Sequence, residues 1–315
     1  MTRATSHSAV RPETAMLSET TRPSRRTMFG TGASLAAGAA ALVATASMPS
    51  AAVAQASRTA GNRPRGLTDG DIFNFALNLE YLEAEYYLRG LTGRGLQDYD
   101  VGSAAGGVTG GRQVSFSTPR MRQFFENISR DETRHVKFIR STLGPNAVSR
   151  PRIDLDAGFA AVAQAAGLGA GFDPFADEAS FMIGAFLFED VGVTAYKGAA
   201  PFIRNRDYLV AAAGIHAMEA YHAGVVRSVL YAKGPAARAQ ARRISDLRDT
   251  VDGPLDLDQP IDVDARANVV PTDSGGVTFS RTPQEVLNVV YGQAGAGIMS
   301  GGFFPDGMNG KVSAT

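Results

Sequence analysis

The 315-residue chain contains no cysteine. That absence removes disulfide bonds, thiolate metal sites and cysteine nucleophiles, so any metal would be held by carboxylate oxygen and imidazole nitrogen. Tryptophan is missing as well, and histidine occurs four times. Neither sign of charge predominates, with 31 Lys and Arg against 31 Asp and Glu. Without a basic field the chain has no electrostatic means of holding nucleic acid or an anionic membrane surface. The apolar run from Ala33 to Met48 is shorter than the ~20 residues a spanning helix needs, and its alanine and glycine make it only mildly hydrophobic. No stable membrane anchor is therefore expected. What the chain does have is a 44% apolar content, ordinary for a protein with a real core, and 35 glycines, which point to long irregular connections.

The first fifty-odd residues have the character of an address. Ser24-Arg25-Arg26-Thr27-Met28-Phe29 forms a twin-arginine pattern ahead of the apolar run, and Ala52-Val53-Ala54 offers a small-x-small cleavage site, with Ala54-Gln55-Ala56 as a neighbouring choice. Residues 1–54 are thus expected to be a removed signal peptide. The twin-arginine export machinery is its partner, and the destination is periplasmic or secreted. Removal takes away five arginines and two glutamates and leaves a mildly acidic chain. This route carries folded proteins, which suits a protein that loads a metal before export.

Four long helical patterns follow within 66–235. The first begins after Thr68, where Asp71 completes a capping box, and stops between Gly90 and Gly93. A glycine-rich loop, 93–117, leads to a second helix opening at Thr118-Pro119 and ending near Leu143. A connection of about thirty residues, with a short helix around 156–166, precedes a third helix starting at Asp173-Pro174 and a fourth starting near Asn205. Short and long connections in this order suit four helices with one long crossover. The remainder, 236–315, is a mixed coil and helix extension. It holds a short charged helix from Ile244 to Thr250 and a second one opened by the capping box Thr282-Pro283-Gln284-Glu285. Phe303 and Phe304 suggest that this extension packs on the bundle.

The chemistry lies in two repeated spacings. Helix two carries Glu132-Thr133-Arg134-His135 and helix four Glu219-Ala220-Tyr221-His222. Residues three apart share a helix face, so each motif directs a carboxylate and an imidazole the same way. Two such motifs, with one glutamate from each remaining helix, are the donor set of dinuclear carboxylate bundles. Helix three supplies Glu189 from an apolar stripe. Helix one offers Glu80 and Glu83. Glu80 precedes Tyr87 by seven residues as Glu189 precedes Tyr196, which makes Glu80 the first choice and leaves Glu83 as a partner ligand or an acceptor beside the ligands. Tyr87 and Tyr196 are candidate hydrogen-bond donors to the carboxylates. Glu85 falls on another face and reads as solvated, as do the flank residues Asp131 and Arg134, while His216 points away from His222. An unpaired buried carboxylate would cost several kcal/mol, so Glu189 and Glu219 within apolar stripes argue for metal. Four carboxylates balance two divalent cations, with iron or manganese favoured over zinc by an oxygen and imidazole donor set.

These stretches, from Ala76 to Tyr87, Asp131 to Val136, Glu189 to Tyr196 and Glu219 to His222, resemble ferritin-like domain proteins similar to plant desiccation-related proteins and fungal stress-response homologues. So do Asn268 to Asp273, Ser280 to Pro283 and Phe303-Phe304-Pro305 in the tail. The resemblance implies an all-α ferritin-like four-helix bundle and an association with drying or general stress. The expected chemistry is that of a dinuclear centre reacting with dioxygen or hydrogen peroxide. The other reading is a protective protein in which metal is structural or absent. Homodimer formation is left open.

Overall fold

The computed structural model describes residues 66–315; the expected signal peptide, 1–54, lies outside the described residues. Helix α1, Asp69–Thr92, starts where Thr68 accepts the Asp71 N–H at 3.1 Å and the Asp71 carboxylate accepts the Thr68 N–H at 2.8 Å. It stops at Gly93, whose φ of 73° is open to glycine at little cost. The glycine-rich loop beyond it is not wholly irregular. It contains a one-turn helix α2, Asp98–Val101, and a two-residue strand β1, Val108–Thr109, which pairs in parallel with β2, Ile153–Asp154, from the crossover. Helix α3, Pro119–Leu143, has Thr118 as its cap and proline in the first turn.

The crossover carries α4, Leu155–Ala165, capped by Asp154. Helix α5 spans Glu178–Ala199, several residues later than the expected start at Asp173-Pro174. Both aspartates have capping chemistry, but Asp173 instead closes a local turn by accepting the Phe175 N–H and pairs with Arg112, while Asp177 caps the helix through the Ser180 N–H. Helix α6, Arg206–Ala232, is capped by Asn205. Then α7, Pro235–Asp252, runs for 18 residues, well beyond the expected 244–250 segment, because Pro235 initiates a helix directly after the Gly234 turn. A small hairpin, β3 Asp262–Val263 with β4 Arg266–Ala267, and helix α8, Pro283–Tyr291, complete the tail.

Helix α1 packs chiefly on α3 and α5 chiefly on α6, giving two helical pairs joined by the long crossover. Between them lies an aromatic cluster in which Tyr86 stacks on Phe181 with centroids 4.6 Å apart, and Phe159, Phe175 and Phe188 close around it. The tail is tied to the bundle by buried guanidinium groups. Arg248 donates to Asp190 at 2.9 Å and to the Phe186 carbonyl at 2.8 Å. Arg281 donates to Asp252 at 2.8 Å and to the Thr194 hydroxyl at 2.9 Å, and Arg227 reaches Asp190 at 2.7 Å. A third acidic group, Asp249, Asp252 and Asp258, sits against Arg281 and Arg248, so it belongs to this ion-pair network.

Candidate metal centre

All seven predicted acid and imidazole residues are buried: Glu80, Glu83, Glu132, His135, Glu189, Glu219 and His222. Six of them form two overlapping groups. Glu80, Glu132, His135 and Glu219 make one, and Glu132, Glu189 and His222 the other, with the potential donor atoms of each within 4.8 Å of one another. Glu132 belongs to both, the position of a bridging carboxylate. His135 Nδ1 stands 3.2 Å from both Glu80 Oε2 and Glu132 Oε2, and 3.9 Å from Glu219 Oε1. His222 Nδ1 stands 2.9 Å from Glu132 Oε1 and 3.4 Å from Glu189 Oε2. The two imidazole centroids are 6.4 Å apart. The two Glu-x-x-His motifs of α3 and α6 thus face one another, as their one-face spacing requires.

The two tyrosines brace the arrangement reciprocally. Tyr87 of α1 donates its hydroxyl hydrogen bond to Glu189 of α5, and Tyr196 of α5 donates to Glu80 of α1. The seven-residue spacing common to both helices therefore has a physical meaning. Each tyrosine holds the other helix's glutamate, fixing a carboxylate that would otherwise rotate.

Glu83 stands apart. It is in neither donor group and instead lines a small cavity with Leu79, Leu82, Phe188, Val191 and Gly192. Three residues after Glu80 the first helix has this glutamate; three residues after Glu189 the third has Gly192. A Cβ at Gly192 would lie 2.1 Å from Glu219 Oε2, so the glycine makes room for the Glu219 carboxylate. The centre is accordingly near-symmetric in its donors and asymmetric beside them.

Burial is the first influence on every acid here. It raises Glu80 to about 7 against the pull of His135, and raises Glu83 and Glu219 well above the carboxylate range with neighbouring carboxylates adding to it. Burial also opposes ionisation of Glu132, but contact with His135 and His222 holds that acid below its ordinary value. Both imidazoles are pushed up to about 12: burial disfavours their charge, and the carboxylates, Glu80 and Glu132 for His135, Glu189 and Glu132 for His222, outweigh it. A concentration of buried acids so unfavourable without cations is the electrostatic signature of a functional site.

The donor atoms test whether metal fits. Glu132 Oε1, Glu189 Oε2, both Glu219 oxygens and both His222 nitrogens are buried without a hydrogen-bond partner. The 2.9 Å approach of His222 Nδ1 to Glu132 Oε1 thus lacks the direction of a hydrogen bond. Buried polar atoms are ordinarily satisfied, and six that converge without partners are matched by a shared cation. The groups present suit a metal site made of oxygen and imidazole donors.

Two residues depart from their sequence reading. Glu85 is fully buried rather than solvated, because Arg89 on its own helix and Arg150 from the crossover both pair with it. Asp131 is buried too, with Oδ2 3.7 Å from His222 Nε2 and accepting from Asn127 at 2.9 Å, and so stands directly behind an imidazole. Its place immediately before Glu132 was the available signal. Arg134 is exposed, as expected, and His216 is half-buried away from the centre. A cleft of about 630 Å³ along the crossover, lined by Leu155, Phe159, Gln164 and Phe172 among others, touches none of the donor residues.

A family model described as ferritin-like domain matches residues 68–232, which contain every donor residue. The chain is 29% identical over 266 residues to the ferritin-like catalase Nec2 of Nesocodon mauritianus, covering 78% of this chain and 85% of that protein. It is likewise 29% identical over 241 residues to the desiccation-related protein PCC13-62 of Craterostigma plantagineum, covering 70% of this chain and 76% of that one. No solved structure matches the chain significantly.

Proposed function

The chain belongs to the ferritin-like domain family, and on that footing we propose that it is an exported dinuclear iron or manganese protein that disposes of hydrogen peroxide. The observation carrying the reading is the set of partnerless buried atoms on Glu132, Glu189, Glu219 and His222, directed at common points between four helices. The name of the relative from Nesocodon, a ferritin-like catalase, favours peroxide over other oxidants.

Glu80 and His135 would hold one ion and Glu189 and His222 the other, with Glu132 and Glu219 between them. A redox-active pair there supplies the two electrons that an O–O bond takes up on cleavage and recovers them from a second peroxide, so that two peroxides give two waters and one dioxygen. The protein's share is positional. Tyr87 and Tyr196 fix the terminal carboxylates, the surrounding apolar side chains exclude bulk water, and buried carboxylates hold the protons that the two waters require. Glu83, beside the ligands and kept protonated by burial and neighbouring acids, is placed to be such a proton holder.

Export by the twin-arginine route belongs to the same reading, since a centre assembled from four helices has to be loaded in a folded protein. The test is metal analysis of protein recovered from the cell envelope, together with oxygen evolution from peroxide. Close to two iron or manganese ions per chain with oxygen release supports the proposal. The relative named for desiccation favours a second reading, in which the metal only ties the helices together. A zinc-filled or redox-inert centre in the same experiment would decide for it.

A further inference from the structure

Two cavities adjoin between the bundle and the tail. The outer one, about 20 Å³, is a crevice among α4, α7 and α8, bordered by the exposed residues Ala161, Ala165 and Gly292. The inner one, about 10 Å³, ends at Glu83 beside the metal-binding groups. Leu187, Val289, Val290 and Phe303 line both, so a single apolar partition separates the surface crevice from the chamber at Glu83.

The partition is built with care for Phe303. Its N–H donates to the Val290 carbonyl at 3.0 Å, and its carbonyl accepts the Asp154 N–H at 3.0 Å, tying it to α8 and to the crossover. Its ring meets Phe159 and Phe188 edge-on at 4.9 and 5.1 Å, and Gly158 is the residue that leaves it room, since a Cβ there would lie 2.3 Å from the ring. The one charged group along the way, Arg248, is already engaged by Asp190 and Asp258. The walls are otherwise apolar, and the free space at each stage is about that of one small molecule.

We propose that this pair of cavities is the entry path for a small uncharged oxidant, hydrogen peroxide or dioxygen, and that Val290 and Phe303 of the C-terminal extension select it against bulkier hydroperoxides. The inference rests on the peroxide reading above for its substrate, but the path itself is a property of the protein without metal. It assigns the tail a task that the bundle alone cannot perform: four of the walls of the inner chamber's outer side come from α5, α8 and Phe303, and three of these, Val289, Val290 and Phe303, belong to the extension.

The path is tested first on metal-free protein, by methyl NMR under several atmospheres of dissolved oxygen. Paramagnetic relaxation is expected to rise at Leu79, Leu82, Leu187, Val289 and Val290 well above that at the equally buried Leu91 and Ile139. Equal relaxation at both sets would overturn the path whether or not the protein handles peroxide. With metal-loaded protein, Val290→Phe is expected to lower kcat/KM for hydrogen peroxide about tenfold, a rise of roughly 1.4 kcal/mol in barrier, at unchanged metal content. Phe303→Ala is expected to raise the rate with tert-butyl hydroperoxide relative to hydrogen peroxide. Unchanged kinetics in both variants would overturn the selecting role. Wild-type protein inert to peroxide would instead sink the functional reading while leaving the oxygen-contact result to stand by itself. The NMR measurement needs no substitution, so a variant that fails to fold does not remove the test.

Discussion

The hydroxyl of Tyr87 on the first bundle helix is hydrogen-bonded to the carboxylate of Glu189 on the third, and Tyr196 on the third returns the same contact to Glu80 on the first. Each donor is fully enclosed, so its proton has no alternative partner in water. Tyr87→Phe or Tyr196→Phe should keep the fold and weaken metal binding by about 10–100-fold, the usual effect of losing a group that orients a ligand. Competition with a chromogenic chelator measures it. Affinity unchanged in both variants would show that the tyrosines are only core filling.

The two acids of α1 should separate under substitution. Glu80 shares a donor group with His135 and Glu219, whereas Glu83 shares none. Glu80→Gln is expected to drop the content below two metal ions per chain, and Glu83→Gln to leave two. Elemental analysis of both variants decides the assignment, and the reverse pattern would exchange their roles.

Gly192 should tolerate no side chain. With the Glu219 oxygen 2.1 Å from where a Cβ would stand, Gly192→Ala has to displace that carboxylate or push α5 from α6. The expectation is loss of metal accompanied by a stability change of about 1–3 kcal/mol, the ordinary scale for overpacking. Retention of two ions with wild-type affinity would mean that Glu219 is not a ligand.

The sequence made the symmetric half of this centre visible and hid the rest. Glu-x-x-His is a local signal, because one helix sets the geometry of both side chains. Glu-x6-Tyr worked for a less direct reason: the two residues of each pair do not touch each other but touch the pair on the opposite helix. Glu80 and Glu83 could not be told apart, since their difference lies in what stands opposite, Tyr196 and His135 for one and an apolar chamber for the other. Glu85 was misread because its partner Arg150 arrives from the crossover, 65 residues further along. The start of α5 was missed because Asp173 and Asp177 have equal capping chemistry and only tertiary pairing with Arg112 distinguishes them.

Asp249 offers a test by acid titration, remote from the metal-binding groups. Burial and the nearby Asp258 raise it from 3.8 to about 7. An acid raised on folding binds its proton more tightly in the native state, so its stabilising contribution is complete below pH 4 and is lost as the pH climbs through 7. Asp249→Asn should leave the melting temperature at pH 4 nearly unchanged and raise it by a few degrees at pH 8. An asparagine oxygen can still accept from the N–H groups of Leu257 and Asp258. Parallel melting curves across that range would contradict the assignment.

Arg281 should be among the costliest single residues of the tail. Its guanidinium is buried against Asp252, Asp258 and Thr194. Removing it in Arg281→Met leaves two acids without their cation, a loss of about 3–5 kcal/mol by the usual scale for breaking a buried pair. Urea denaturation measures it, and a change under 1 kcal/mol would show that the acids simply take up protons.

The guanidiniums of Arg248 and Arg281 also settle where this protein can be cut. A chain ended after Ala232, at the close of the family match, would strip Asp190 of one counter-ion, uncover Phe186 and Leu187, and open the chamber at Glu83 to solvent. The ferritin-like segment is therefore recognisable by homology without being an autonomous piece of matter. Its last third is a lid sewn on with arginine thread, and evolution could not trim one without unpicking the other.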